Sequence, residues 1–191
     1  TDPEDNIIGS SGSLPGDLQR MWCARGVDTY NVEYGYSCMG YEISGALGVK
    51  LAQPEREVYS MVGDGSFMML HSEMVTAVQE HTKINVCLFN NASFGCINNL
   101  QNGQGNETLC TERRFRNPET GKHDGKFMPI DYAAIGAAYG CKAYSIRTQA
   151  ELEAAIKASQ ATSIANQGKK EEEPKKEEKA APAKEEATAE E

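Results

Sequence analysis

Short apolar runs separated by polar turns recur along most of this chain and predict alternating strands and helices. Residues 57–62 and 84–89 are nearly continuous apolar runs, the pattern of parallel strands that are buried on both faces. Between them, four apolar residues fall at helical spacing and mark one face of a helix. They are Leu70, Met74, Ala77 and Val78.

The remaining pattern extends this alternation in both directions. It predicts a strand stub at Ile7-Ile8, helices over 14–24, 43–51 and 131–139, strands over 27–34 and 141–146, and a helix from the capping residue Thr148 to about 159. Strands that alternate with helices are typical of an α/β protein with a doubly wound, mostly parallel sheet and helices on both faces. We predict this fold class for the chain.

Composition shifts divide the chain of 191 residues into three parts. We expect residues 1–11 to be the stub of an interdomain linker and residues 12–165 to form one domain. Residues 166–191 form a Lys/Glu/Ala/Pro tail with almost no apolar side chains, and such a tail buries too little surface to fold, so we expect disorder.

Charge and cysteine content exclude several classes of function. The net charge is −9 and no basic stripe occurs, so we expect no nucleic-acid partner. No apolar run reaches the length of a membrane span. The six cysteines form no C-x-x-C pair, which favours free thiols in a reducing cytoplasm.

Polar residues follow both long apolar runs. Gly63-Asp64-Gly65-Ser66 ends the first, Asn90-Asn91 ends the second, and Asn91 lies 27 positions after Asp64. If the strands are parallel neighbours, both ends lie at the sheet edge where open α/β sheets bind ligands. A carboxylate and an amide oxygen would meet there, and Mg²⁺ takes such ligands while keeping positions for phosphates. The spacing therefore predicts a magnesium–phosphate site.

A dinucleotide-binding turn is the alternative interpretation of Gly63-x-Gly65. Its third glycine would fall at position 68, which is Met68. No acidic residue stands at the distance that contact with a ribose requires, and Asn90-Asn91 would have no role. The pattern disfavours this alternative.

The chain resembles the thiamine-diphosphate-dependent enzyme superfamily, whose signature is GDG followed by NN. Glu73 and Thr76 match the E-x-x-T of the following helix, and 35–40 with 45–48 resemble the cofactor-facing segment. Within the superfamily, residues 12–19, 33–42 and 94–101 are similar to the trihydroxycyclohexanedione hydrolase family of inositol breakdown.

The resemblance implies which residues contact thiamine diphosphate and Mg²⁺. The metal ligands would be the Asp64 carboxylate, the Asn91 amide oxygen and the Ser93 backbone carbonyl. The cofactor-binding set would be Gly12, Ser13, Ser37, Met39, Gly63, Asp64, Gly65, Ser66, Asn91, Ser93 and Gly95.

Four of these residues would have distinct roles. Gly65 and Ser66 would donate hydrogen bonds to the diphosphate, and Ser66 would use both its N–H and its hydroxyl. Met39 would be the apolar wedge beneath the bent cofactor. The Ser37 carbonyl would accept a hydrogen bond from the aminopyrimidine.

The resemblance also implies a reaction and its partners. The substrate would be a cyclic diketone, trihydroxycyclohexane-1,2-dione, which C–C hydrolysis opens to 5-deoxy-glucuronate. We expect no catalytic residue in this chain, because the activating glutamate of the family lies in a pyrimidine domain, supplied by a full-length subunit of a homo-oligomer. Another thiamine-diphosphate lyase or carboligase, similar to acetohydroxyacid synthase, and a non-catalytic fragment remain open alternatives.

Overall fold

A four-stranded parallel sheet organises the first of two compact units, residues 1–147. The computed structural model describes the backbone of residues 2–167 and the side chains of residues 2–162. The strands are β1 (Asn6–Gly9), β2 (Tyr30–Val32), β3 (Val58–Gly63) and β4 (Asn85–Phe89). Their order is β2-β1-β3-β4, and every neighbouring pair is parallel. This arrangement confirms the predicted fold class.

Helices connect and follow the strands of this unit. They are α1 (Ser13–Met21), α2 (Tyr41–Ala52), α3 (Asp64–Leu70), α4 (Glu73–Gln79), α5 (Gly95–Gly103) and α6 (Tyr132–Ala138). Since β3 and β4 pair in the register Gly63 to Phe89, the residues that follow each strand emerge at one edge of the sheet.

The core lies between α2 and the sheet. Because side chains alternate along a strand, Val58, Ser60 and Val62 of β3 share one face. Val62 packs with Ile43 of α2, and Val58 packs with Ala46. Each of these apolar residues is almost completely buried, so the small side chains of α2 allow it to lie close to the sheet.

Strand β1 occupies an inner position, although only Ile7-Ile8 indicated it in the sequence. All four of its residues are buried, and it pairs with β2 on one side and β3 on the other. The boundary between residues 11 and 12 stays a prediction, and β1 shows that residues 6–9 share one sheet with β3.

Two predicted elements differ from the structure. The single helix expected after Asp64 is broken between Leu70 and Glu73, where turn bonds such as Met74 N–H to the His71 carbonyl (3.1 Å) replace helical ones. Residues 141–146 form no strand. They are mostly exposed, so burial does not stabilise an extended segment there.

The second unit begins at Thr148, and its described part is helix α7 (Gln149–Gln167). The predicted cap is confirmed, because Glu151 N–H donates to Thr148 Oγ1 (3.3 Å) and Thr148 N–H donates to the Glu151 carboxylate (3.0 Å). This is a capping box. The helix continues past the predicted end at 159. The predicted disorder of the tail concerns residues that lie mostly outside the described range.

Candidate cofactor site

Asp64 is the first residue of α3 and lies directly after the last residue of β3. Its side chain is 1% exposed. One carboxylate oxygen, Oδ2, accepts a hydrogen bond from Arg113 Nη1 at 2.8 Å, and the Asn91 backbone N–H lies close to the carboxylate. Burial raises the pKa of the Asp64 carboxyl above its usual range, and the Arg113 guanidinium and the Asn91 N–H oppose that rise. The structure thus brings Asp64 and Asn91 together at the sheet edge.

The Asn90-Asn91 pair shapes the loop after β4. Asn90 Oδ1 accepts from Ala92 N–H (2.9 Å), and Asn91 Oδ1 accepts from Ser93 N–H (3.0 Å). Asparagine forms such turns because its side chain reaches the backbone two residues ahead. Ala92 lies in the left-handed region, with φ +54°, which a non-glycine residue adopts only where its surroundings enforce it. The two asparagines hold this loop in a fixed shape.

Two glycines of the predicted set allow close contacts around the loop after β4. A Cβ on Gly65 would lie 2.7 Å from Phe94 Cδ1, and a Cβ on Gly95 would lie 2.7 Å from Asn91 Nδ2. Both distances are far below van der Waals contact. A side chain at Gly65 would therefore push the loop after β4 away from α3.

Ser66 lies on the buried side of α3 and contacts α2. Its hydroxyl donates to the Glu42 carboxylate, at 2.8 Å from Oε1 and 2.7 Å from Oε2. The Gly40 N–H reaches both the Ser66 hydroxyl (2.6 Å) and Glu42 Oε2 (2.9 Å). Glu42 is 1% exposed. The Ser66 hydroxyl thus links α3 to the start of α2, and its predicted contact with a diphosphate stays a prediction.

The predicted residues of the 37–39 turn lie on an exposed loop. Glu33 accepts hydrogen bonds from the backbone N–H groups of Cys38 (2.7 Å) and Tyr36 (2.9 Å), and these bonds lower the pKa of its carboxyl. Ser37 lies in the left-handed region, with φ +59°. The Met39 side chain is 38% exposed, so it is available for contact with a ligand.

Ser37 also connects this turn to the start of α1. Its hydroxyl forms a hydrogen bond with the Ser11 hydroxyl, next to Gly12 and Ser13. Gly12 precedes α1 with φ +128°, a conformation that favours glycine.

The types of donor atom at the sheet edge suit a magnesium ion and a phosphate. Asp64, Asn91 and the Ser93 backbone offer carboxylate, amide and carbonyl oxygens, which are the kinds of ligand that Mg²⁺ takes. Arg113 Nη2, beside them, is buried and has no hydrogen-bond partner among the described residues. A buried donor without a partner is rare, and an anionic oxygen would satisfy it.

Sequence reasoning did not predict the roles of Arg113 and Glu42. Arg113 belongs to the polar segment 102–130, and a charged residue in such a segment ordinarily indicates a solvated loop, but its side chain is only 13% exposed. One feature of the sequence does point to Glu42. It is an acidic residue at the start of a helix that is otherwise rich in small and apolar residues.

An α/β domain with this constellation at its sheet edge defines a cofactor-binding domain. The chain belongs to the family described as "Thiamine pyrophosphate enzyme, C-terminal TPP binding domain", whose model matches residues 10–168. This finding confirms the resemblance that the GDG and NN signature indicated.

Two curated relatives show which enzymes of this family the chain is similar to. The chain is 61% identical over 163 residues to a 3D-(3,5/4)-trihydroxycyclohexane-1,2-dione hydrolase of Geobacillus thermodenitrificans, with 85% of this chain and 26% of the relative covered. It is 59% identical over 155 residues to the enzyme of the same name from Bacillus thuringiensis, with 81% and 24% covered. The chain therefore spans about a quarter of these relatives.

A solved structure supports the fold independently. The chain is similar to a thiamine diphosphate-dependent 4-hydroxybenzoylformate decarboxylase of Rhodococcus jostii RHA1, with a TM-score of 0.69 and 20% identity. The similarity covers 84% of this chain and 28% of that one. In the described part of the chain, no helix combines the length and the apolar character needed to cross a membrane.

Proposed function

We propose that this chain binds thiamine diphosphate through Mg²⁺ and forms the diphosphate-binding half of the active site of a trihydroxycyclohexane-1,2-dione hydrolase. The observation that carries the proposal is the convergence of Asp64 and Asn91, at the ends of paired strands, in a chain that is 59–61% identical to hydrolases of that name.

The residues at the sheet edge would bind different parts of the metal–cofactor complex. Asp64, Asn91 and the Ser93 carbonyl would bind the metal, and the Gly65 N–H would contact the diphosphate. The two asparagine turns fix the loop before any ligand arrives, which lowers the entropic cost of binding.

The residues near α1 and α2 would hold the other end of the cofactor. Met39 would contact the cofactor with its partly exposed side chain, and the Ser37 carbonyl would accept a hydrogen bond from the pyrimidine ring. Gly12 and Ser13 would lie at the diphosphate end. Bound thiamine diphosphate supplies a carbon nucleophile and an electron sink for C–C cleavage.

The complete reaction would need more than these 191 residues. The activating glutamate belongs to a pyrimidine domain, which we propose a full-length subunit supplies within a homo-oligomer in the cytoplasm. The substrate would be the cyclic diketone and the product 5-deoxy-glucuronate. We expect the chain alone to bind cofactor without turning over substrate.

Calorimetric titration with thiamine diphosphate and Mg²⁺ tests the binding proposal. We expect metal-dependent binding that Asp64→Asn abolishes, since the amide keeps the shape of the side chain but loses the charge. Asp124→Asn makes the same change at an exposed position and should bind as the natural chain does. Binding that persists without metal, or in Asp64→Asn, would overturn the proposal.

An activity assay tests the substrate separately. The chain is mixed with the part of the Geobacillus thermodenitrificans relative that it does not match, and the cyclic diketone is added. Ring opening that neither part shows alone is the expected result. Consumption of pyruvate by carboligation, with no ring opening, would instead favour the synthase-like alternative.

A further inference from the structure

Arg113 reaches the candidate site because its backbone is paired with the loop that carries Asn91 and Ser93. Arg113 N–H donates to the Ala92 carbonyl (2.8 Å), and Phe94 N–H donates to the Thr111 carbonyl (2.8 Å). Between these bonds, Ser93 and Glu112 form an antiparallel bridge. The position of Arg113 is therefore fixed relative to the candidate metal ligands.

The guanidinium of Arg113 lies inside the site. Nη1 donates to Asp64 Oδ2 at 2.8 Å, and the guanidinium carbon lies 5.2 Å from the centre of the Phe94 ring. Nη2 lies 3.4 Å from the point that a Cβ on Gly65 would occupy. This second nitrogen thus faces the glycine that we propose contacts the diphosphate.

A purely structural ion pair leaves Nη2 unexplained. The neighbouring arginines of the same segment direct an Nη nitrogen to a loop carbonyl, Arg114 to Gly125 and Arg116 to Gly121. Arg113 Nη2 is buried and has no hydrogen-bond partner among the described residues, although it carries donors that normally find one. An anionic oxygen would supply the acceptor that Nη2 lacks.

We propose that Arg113 is a bridging residue, which positions the Asp64 carboxylate with one guanidinium nitrogen and binds an anionic oxygen of the diphosphate with the other. The inference rests on the proposed function. A diphosphate places several negative charges beside Asp64, and Mg²⁺ offsets only two of them. The planar fork of arginine suits two oxygens at once, whereas a lysine presents a single point charge.

The test compares two probes, Mg²⁺-pyrophosphate by calorimetry and Mn²⁺ alone by electron paramagnetic resonance. Arg113→Met keeps an apolar stem over Phe94 and removes the donors, and Arg113→Lys keeps the charge. Arg116→Met is the matched control, because Arg116 is exposed and pairs elsewhere in its loop. Circular dichroism verifies that each variant is folded.

We expect Arg113→Met to weaken the binding of Mg²⁺-pyrophosphate by about 10- to 100-fold, the loss of a hydrogen bond between charged groups. Its affinity for Mn²⁺ alone should not fall, because Arg113 shares Asp64 with the metal. Arg113→Lys should lie between Arg113→Met and the natural chain, and Arg116→Met should match the natural chain.

Two outcomes separate the inference from the function on which it rests. If Arg113→Met and Arg113→Lys bind Mg²⁺-pyrophosphate normally while Asp64→Asn does not bind it, the bridging role is wrong and the proposed function stands. If the natural chain binds neither probe, or Asp64→Asn binds both normally, the proposed function fails and the inference fails with it.

Discussion

Replacing Ser66 with alanine would remove the link between α3 and the buried carboxylate of Glu42. The Ser66 hydroxyl lies within 2.8 Å of both Glu42 oxygens, and Glu42 is 1% exposed. In Ser66→Ala the carboxylate would keep the bond from Gly40 N–H at 2.9 Å. Water does not readily reach so buried a position to replace the hydroxyl. The loss of this hydrogen bond should therefore lower the stability of the fold.

The expected loss of stability in Ser66→Ala depends on the acceptor being a carboxylate. Hydrogen bonds to charged groups contribute about 1.5–3 kcal/mol, so we expect Ser66→Ala to lower the free energy of unfolding by that amount. Ser60→Ala makes the same chemical change in β3, where the Ser60 hydroxyl is buried but has no hydrogen-bond partner among the described residues. That change should be neutral, or stabilising by about 1 kcal/mol, because an unsatisfied hydroxyl is costly to bury.

Urea unfolding followed by circular dichroism measures both variants. A double-mutant cycle with Glu42→Gln then isolates the coupling between Ser66 and Glu42 from the cost of the cavity. If Ser66→Ala destabilises no more than Ser60→Ala, or if the cycle gives no coupling, the Glu42 carboxylate does not depend on this hydroxyl and the argument from burial is wrong.

The other predictions concern backbone strain and thiol chemistry. Gly40→Ala should cost about 1–2 kcal/mol in urea unfolding, because φ is +95° and a Cβ would lie 3.1 Å from Leu70 Cβ. Gly48→Ala, in open space within α2, should gain up to about 1 kcal/mol, and equal stability of the two variants would refute the strain. Burial raises the pKa of the Cys87 thiol to about 11, so at pH 8 it carries little thiolate. Peptide mapping after iodoacetamide treatment should find the exposed Cys23 modified and Cys87 intact, with Cys87 labelling faster as the pH rises toward 11; equal labelling at pH 8 would contradict this.

The sheet and its ligand-binding edge were predictable because their signals are local. The apolar runs of β3 and β4 identify strands without knowledge of their neighbours, although β4 is only half-buried and not enclosed on both faces as its apolar run predicts. The helical connection between them, residues 64–84, is long enough for the crossover that parallel pairing requires. Once the strands are parallel, the positions of Asp64 and Asn91 at one edge follow from geometry alone. The resemblance to a known signature then added the cofactor, which no periodicity could name.

Long-range contacts of polar side chains were not predictable in this way. Arg113 lies 49 positions after Asp64, and it reaches the site only because the segment around Glu112 pairs with the loop after β4. Glu42 of α2 is buried where it contacts Ser66 of α3, a residue 24 positions away in the sequence. Neither Arg113 nor Glu42 is part of a periodic pattern in the sequence. A charged residue in a solvated loop and one in a buried pair therefore cannot be told apart from the sequence.

The inner position of β1 has a consequence for anyone who trims this protein for expression. The family match begins at residue 10, so a piece cut to the match would lack residues 6–9. It would lose the strand that lies between β2 and β3, together with the Asn6 amide, which bonds Gln53 at 2.8 Å and Asn31 at 3.2 Å. The open backbone edges of β2 and β3 would then invite pairing between molecules. A boundary that similarity places at residue 10 would therefore expose strand edges that favour aggregation, and a boundary before residue 6 keeps them paired.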